Sequence, residues 1–196
     1  VHASLERHDG TVVRWATPRH PIRVWVEPRD DEPLLGRLGS IDTWTKAVHH
    51  AVADWSLARA GIQLRIVGDS TAAQIRIRWT RSLAPTSTSR DGTVTRSDGR
   101  SLVVREAASG AIESAELLLG ESEAHGAPRR PVDVHAITIH ELGHALGLSH
   151  APGEGRAASV MAPRVVADEV TGDDLRVLRA WYAMPVGMRC LSSRSR

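Results

Sequence analysis

The sequence predicts an α+β fold for this chain of 196 residues. Several short segments alternate apolar and polar residues, which is the period of a strand with one buried face. Other segments carry apolar residues at the three- and four-residue spacing of an amphipathic helix. A hydrophobic content of 41% provides enough apolar surface for a core. We therefore expect one domain over residues 1–196, with flexible ends at 1–10 and 186–196.

The first half of the chain is predicted to form a strand, a helix and two further strands, in that order. The segment IRVWVEP, residues 22–28, alternates in the manner of a strand. A helix is expected from Ser40, a good N-cap, to a stop at Gly61. Two more alternating segments follow, IQLRIV at 62–67 and QIRIRW at 74–79. The apolar, tryptophan-rich face of the helix is formed by Ile41, Trp44, Val48, Val52 and Trp55.

A polar stretch separates these strands from the next ones. Residues 80–100 are rich in Ser, Thr, Gly and Asp, and predict a surface loop with a short hairpin. Two strand candidates follow, SLVVRE at 101–106 and GAIESAELLLG at 110–120. In the second segment Ala115 falls out of phase with the apolar alternation of its neighbours.

The rest of the chain predicts two helices. Residues 123–131 read as a linker, and the segment VDVHAITIHELGHALGL, which starts at Val132, has helical apolar spacing. Thr171 is the N-cap candidate of a last helix that runs through Tyr182. Asp174 stands at its capping-box position, where Glu or Gln is more usual.

Three histidines in HELGHALGLSH, residues 140–150, carry the functional signal. Four residues of α-helix return a side chain to nearly the same face, so His140 and His144 point the same way. His150 can join them only if the helix stops and the chain turns back. Gly147 stands where that turn must lie.

The residue types in this motif suit a catalytic zinc site. Neutral imidazoles bind Zn²⁺, and three of them leave a fourth tetrahedral position for water. Zinc lowers the pKa of such a water to about 7. Glu141 is too close to the first histidine to bind the same metal, but it can reach the water, which makes it the natural general base.

The extended pattern His-Glu-x-x-His-x-x-Gly-x-x-His, with a methionine eleven residues later in SVMAP, is typical of metzincins. The sequence resembles the metzincin metallopeptidases and, within them, the matrixin-like group. The resemblance implies a zinc-dependent endopeptidase that is secreted or extracytoplasmic. It also implies the roles of six residues: His140, His144 and His150 as zinc ligands, Glu141 as the base, Gly147 as the turn and Met161 as the hydrophobic floor beneath the metal.

The same resemblance implies the architecture of a metzincin catalytic domain. This domain is a twisted mixed β-sheet with an active-site helix, a Met-turn and a C-terminal helix. A peptide substrate would add to the edge strand of the sheet as an extra strand. Pro163 stands where astacin-like and serralysin-like enzymes carry a tyrosine, so no tyrosine ligand is expected here.

The resemblance to matrixins also predicts the substrate pocket. In matrixins the residue four before the first zinc histidine, here Ala136, and the segment after the Met-turn form the pocket for the side chain that follows the cut bond. A small Ala136 and an apolar Val165 predict a preference for a large apolar side chain. Arg164, if it turned inward, would instead favour an acidic one.

Composition excludes several other classes. The formal net charge is only +2, so no nucleic-acid partner is implied, and no apolar run approaches the roughly 18 residues of a membrane span. The single cysteine, Cys190, excludes an intrachain disulfide. The first ten residues lack a starting Met and an apolar signal core, so we expect a processed chain. We expect a monomer that acts on protein or peptide substrates.

Other candidate sites have ordinary explanations. Asp91-Gly92 and Asp98-Gly99 could supply oxygen ligands to Ca²⁺, but turn chemistry accounts for them and calcium is not indicated. Surface or packing roles account for the four remaining histidines considered, His49, His50, His125 and His135. Two alternatives stay open: a zinc-holding protein-binding module with little or no catalysis, and a metzincin of another subfamily.

Overall fold

The computed structural model of the chain describes residues 11–16, 21–29, 43–57, 61–81, 83, 85–88, 94–96, 98–123, 126–151, 159–163, 165 and 167–188. Seven strands and three helices lie in these ranges: β1 (Ile22–Val26), α1 (Thr43–Leu57), β2 (Leu64–Ile66), β3 (Ile75–Thr80), β4 (Pro85–Thr88), β5 (Val94–Arg96), β6 (Gly99–Arg105), β7 (Ile112–Gly120), α2 (Pro131–Ala145) and α3 (Gly172–Ala183).

A five-stranded mixed sheet has the strand order β2-β1-β3-β7-β6. The pairs β1 with β2, β1 with β3, and β3 with β7 are parallel, whereas β6 pairs antiparallel with β7. Strands β4 and β5 form a separate antiparallel hairpin, in the loop where a hairpin was expected. The structure is an α+β fold, as predicted, and β6 is the antiparallel edge strand of its mixed sheet.

Helix α2 contacts α1 and the strands β6 and β7, and α1 also contacts the sheet at β2. On α1 the side chains of the predicted apolar face that fall in the described region are buried, namely Trp44, Val48, Val52 and Trp55. On β1 the three apolar residues of the alternation, Ile22, Val24 and Val26, are buried as well. No helix in the described ranges is long and apolar enough to cross a bilayer.

Aromatic N–H and O–H groups tie α2 to the rest of the fold. The indole N–H of Trp55 donates to the carbonyl O of Ile139 at 3.0 Å, and that of Trp15 donates to Ala145 O at 2.9 Å. The hydroxyl of Tyr182 on α3 donates to Leu146 O at 2.9 Å. The helix that carries the histidines is thus hydrogen-bonded to the N-terminal segment, to α1 and to α3.

Some elements differ from the sequence prediction. Strand β2 has three residues instead of six, and α2 begins at Pro131, one residue early, because proline suits the first helical turn. The predicted turn at Asp98-Gly99 is wrong, because Gly99 opens β6 and Asp98 O accepts the N–H of Gly120 at 3.1 Å. The expected N-cap Ser40 lies outside the described residues.

The phase break at Ala115 has a structural cause. The register passes from Val104 opposite Ser114 to Arg105 opposite Ile112, so Glu113 is an extra residue on β7. A bulge of this kind shifts the alternation by one position. Ile112 and Ala115 are consequently both buried although three positions separate them.

The two ends of the described chain lie side by side. Val12 N–H donates to Met188 O at 2.8 Å, and Gly187 N–H donates to Val12 O at 2.9 Å. Gly187 and Met188 belong to the C-terminal segment that was expected to be flexible. Residues 1–10 and 189–196, with Cys190, lie outside the described residues.

Candidate active site

Helix α2 and the turn after it bring the three histidines of the motif together. His140 and His144 lie one turn apart on α2. Gly147 then adopts φ +96°, in the left-handed region that favours glycine, and its N–H donates to His144 O at 2.9 Å. A Cβ at Gly147 would also overlap the backbone O of Val13. The chain therefore turns at Gly147 and brings His150 back to the helix.

The Nε2 atoms of the three histidines form a small triangle. The distance is 3.1 Å from His140 to His144, 3.3 Å from His144 to His150 and 3.3 Å from His150 to His140. A tetrahedral zinc ion with bonds of about 2.0–2.1 Å holds two ligand nitrogens about 3.3 Å apart. The spacing therefore fits one zinc ion and leaves a fourth coordination position.

The hydrogen bonds made by the Nδ1 atoms orient the Nε2 atoms towards one another. His140 Nδ1 lies 2.7 Å from Val160 O, and His144 Nδ1 lies 2.8 Å from Leu148 O. A carbonyl oxygen can only accept, so each Nδ1 carries the proton and each Nε2 keeps its lone pair. Lone pairs that converge in this way repel one another unless a cation lies between them.

The protonation state of His140 favours a metal as well. Burial lowers the pKa of His140, and the charge of His150 lowers it further. Neutral imidazole is the form that binds zinc. Within the described part of the chain, no other group of three or more His, Cys, Asp or Glu side chains brings ligand atoms together in this way. The residues present therefore fit zinc, and none of them indicates calcium.

Glu141 is a buried carboxyl group, with only 5% of its surface exposed. Its pKa is raised to about 7, chiefly by burial; the hydrogen bond from Ser101 opposes the shift, and the negative charge of Asp98 adds to it. Ser101 Oγ lies 2.5 Å from Glu141 Oε2. A carboxyl group with a pKa near 7 can both accept and release a proton at neutral pH.

The Met-turn, residues 159–163, packs beneath α2. Met161 is buried, and a Cβ added to Gly143 of α2 would overlap its sulfur atom. The N–H of Ala151 donates to Met161 O at 2.7 Å, which links the Met-turn to the residue after His150. The Met-turn thus contacts both the helix and the segment that carry the histidines.

Asp174 connects the Met-turn to α3. Its carboxylate accepts from Thr171 as the predicted capping box, and also from the hydroxyl of Ser159 and the N–H of Val160. Val160 in turn holds His140 through its carbonyl oxygen. The sequence pattern predicted the cap but not this connection, because the contact joins residues of two different segments.

The remaining candidates from the sequence lie as follows. Ala136 is half-buried on α2, Pro163 is exposed at the end of the Met-turn, and Val165 is half-buried against the core. Arg164 lies outside the described residues, as does His125. His135 is half-buried with Nε2 2.9 Å from the carboxylate of Asp54, while the adjacent histidines of α1, at 49 and 50, are exposed.

Ser101 is a site residue that sequence reasoning missed. It lies on β6 at an inward position, between the buried Gly99 and the buried Val103. A polar residue at an apolar position of a strand is a signal that could have identified it.

Comparison with protein-family models agrees with this site. A family model described as Matrixin matches residues 37–183. The solved structure of myroilysin is similar to this chain, with 13% sequence identity and a TM-score of 0.47 over 82% of this chain and 79% of that one. No curated protein matches the chain significantly.

Proposed function

We propose how this chain, which belongs to the matrixin family of zinc endopeptidases, acts on its substrate. It binds an extended polypeptide along β6 and cuts it beside the three histidines. The main support for this site of cleavage is the triangle of Nε2 atoms, with Glu141 next to His140 on the same helix. A metal position and a buried proton acceptor therefore lie on one element.

The edge of the sheet supports the proposed mode of binding. The bond from Gly120 N–H to Asp98 O makes these two residues a hydrogen-bonded pair of the antiparallel ladder. Such pairs alternate along a strand, so the backbone groups of Ser101 and Val103 point away from β7. A substrate strand can pair with these groups, while its side chains lie alternately to either side.

The chain's own residues divide the reaction between them. Bound by His140, His144 and His150, zinc would supply Lewis-acid chemistry, which activates water and polarises a carbonyl group. Glu141 takes a proton from the attacking water as the new C–O bond forms. It then delivers that proton to the amine nitrogen as the C–N bond breaks. The carbonyl oxygens of Val160 and Leu148 hold two of the imidazoles in place throughout.

We infer the pocket for the side chain after the cut bond from the matrixin resemblance, which assigns it to Ala136 and the segment after the Met-turn. Ala136 is small and Val165 offers an apolar wall, so burial of a large apolar side chain there adds about 1.5–3 kcal/mol to binding. A charged side chain such as that of Arg164 usually stays in solvent, which favours the apolar preference over an acidic one.

The activity is tested with casein. The zinc-loaded chain should cut casein, and a chelator should stop the reaction. Glu141→Gln should lower the rate roughly 10²–10⁴-fold while zinc stays bound, because the base is not a ligand. A variant within a factor of about three of wild type would contradict the role of Glu141. Wild type that holds zinc but leaves casein intact would instead support the protein-binding module.

The specificity is tested with peptides that span one casein cleavage site. Three peptides would carry Leu, Ala or Glu directly after the cut bond. We expect the leucine peptide to have the highest kcat/KM. A clear preference for the glutamate peptide would show that Arg164 faces the pocket.

The proposal also includes the location of the protein and its oligomeric state. The chain acts on protein substrates, and we place it outside the cytoplasm, as its family suggests. All ligands of the site come from this one chain, which supports activity as a monomer. Size-exclusion chromatography of the active protein tests the monomer, since activity confined to a larger species would contradict it.

A further inference from the structure

Ser101 contacts Glu141 at two points. Its Oγ lies 2.5 Å from Oε2 of the Glu141 side chain and 2.9 Å from the backbone O of the same residue. A single side chain from the edge strand therefore touches both the carboxyl group and the backbone of the general base. The two residues are 40 positions apart in the chain.

The position of Ser101 on β6 makes this contact a consequence of the strand. Gly99, Ser101 and Val103 share the face of β6 that is packed against α2. Gly99 and Val103 are buried, and Ser101 is half-buried. A hydroxyl group at such a position needs a polar partner, and that partner is Glu141.

Gly99 leaves room for the carboxyl group on the same face. A Cβ at Gly99 would lie 2.7 Å from Cγ of Glu141 and 2.8 Å from its Oε1. The side chain of the base thus occupies the space that any larger residue would need. The strand confines the carboxyl group at Gly99 and provides a hydrogen bond at Ser101.

From this geometry we propose that Ser101 is a positioning residue for catalysis: its hydroxyl binds Oε2 of Glu141 and fixes the orientation of the carboxyl group for proton transfer. The inference rests on the proposed role of Glu141 as the base. A base that can rotate spends less time in the reactive geometry, and small misplacements of a catalytic group can cost about 10²-fold in rate.

A purely structural role for Ser101 makes a different prediction. If the hydroxyl only satisfied the backbone O of Glu141, its loss would loosen α2 and the zinc site together. If it positions the carboxyl group, its loss lowers kcat while KM, zinc content and the unfolding temperature stay unchanged.

Threonine and valine at position 101 give a matched pair of variants. They have nearly the same shape, and only Ser101→Thr keeps the hydroxyl, so the steric effect of the extra methyl group cancels in the comparison. With the zinc-loaded full chain and the leucine peptide, we expect Ser101→Val to have a kcat about 10- to 100-fold below that of Ser101→Thr. Zinc content, KM and the unfolding temperature should agree between the two.

A second pair of variants combines each of these two substitutions at position 101 with Glu141→Gln. Without the base, the hydroxyl has nothing to position, so the residual rates of the two double variants should agree. Equal kcat for the single variants would overturn the proposal, as would loss of zinc or of the fold in Ser101→Val alone. The proposal would also be overturned if the ratio of kcat between the threonine and valine variants were as large with Glu141→Gln as without it. Full activity of Glu141→Gln itself would refute the proposed base, which is a separate outcome.

Discussion

Glu141 is a carboxyl group held in an environment that disfavours its charge. Only 5% of its surface is exposed, and burial is the largest cause of its raised pKa of about 7. Desolvation penalises the ionised form more than the hydrogen bond from Ser101 supports it. In the metal-free protein, ionised Glu141 therefore destabilises the folded state.

The sign of this effect predicts a dependence of stability on pH. The pKa rises from 4.5 to about 7 on folding, so the stabilising contribution is complete below pH 4.5 and is lost as the pH rises through about 7. Without zinc, Glu141→Gln should therefore be more stable than wild type at pH 8, by up to about 3 kcal/mol, and should lose this advantage near pH 4.5. Urea unfolding of both proteins at several pH values measures the difference. A difference that does not change with pH would contradict the buried, neutral carboxyl group.

The residues of the site differ in how far the sequence revealed them. His140 and His144 were predictable because helical spacing places them on adjacent turns, and Glu141 because it directly follows the first ligand. His150 required only one further inference, a turn at Gly147. The sequence marks Ser101 only as a polar residue at an inward position of a strand. Its contact with Glu141 could not be predicted, because that contact depends on how an edge strand packs against a helix from a later part of the chain.

Among the structural elements, α3 supports the metal site through the Met-turn. Asp174 accepts hydrogen bonds from Ser159 and Val160 of the Met-turn, and Val160 O accepts from His140. The carboxylate is buried, at 4% exposed. The first turn of α3 is therefore part of the support of the first zinc ligand.

Asp174→Asn tests this connection. An amide group replaces one acceptor oxygen by a donor and leaves buried donors without partners, so we expect a loss of about 2–3 kcal/mol in the free energy of unfolding. Zinc affinity should fall about tenfold, because the support of His140 is weakened. Asp173→Asn is the matched control, since Asp173 is exposed and pairs with the exposed Arg176 at 2.7 Å. Equal effects of the two substitutions on unfolding and zinc titration would contradict the connection.

The elements themselves were largely predictable, and the exceptions have physical causes. Alternation located β1, β3, β6 and β7, because each has one face on the core. The bulge at Glu113 was visible only as the phase break at Ala115, since register depends on the partner strand. The strand start at Gly99 was misread as a turn because an Asp-Gly pair is common in turns, and local chemistry does not reveal a pairing with Gly120.

At the scale of the molecule, the zinc site joins segments from much of the chain. Val13 limits the turn at Gly147, β6 contacts Glu141, and α3 holds the Met-turn. Zinc binds the folded arrangement of these segments, so metal binding should stabilise the whole fold.

Removal of zinc should therefore lower the unfolding temperature. A ligand present at about a thousand times its Kd adds about 4 kcal/mol, which corresponds to roughly 10 °C for a domain of this size. Thermal unfolding with and without a chelator measures the change. His144→Ala, which lacks one ligand, should unfold at a temperature that the chelator does not alter. An unchanged unfolding temperature of the wild type would contradict the coupling.

The indole groups around α2 have a spectroscopic consequence. The chain contains six tryptophans, one tyrosine and no phenylalanine, so its intrinsic fluorescence comes almost entirely from indole. Trp55 and Trp15 donate to carbonyl groups of α2 at Ile139 and Ala145, on either side of the zinc histidines of that helix. A quencher that binds at the metal position, such as Co²⁺ or Cu²⁺, should dim these two emitters more than the half-buried Trp25 and Trp79. The protein thus carries its own optical probe of metal occupancy, and substituting Trp55 by a non-fluorescent residue identifies the signal.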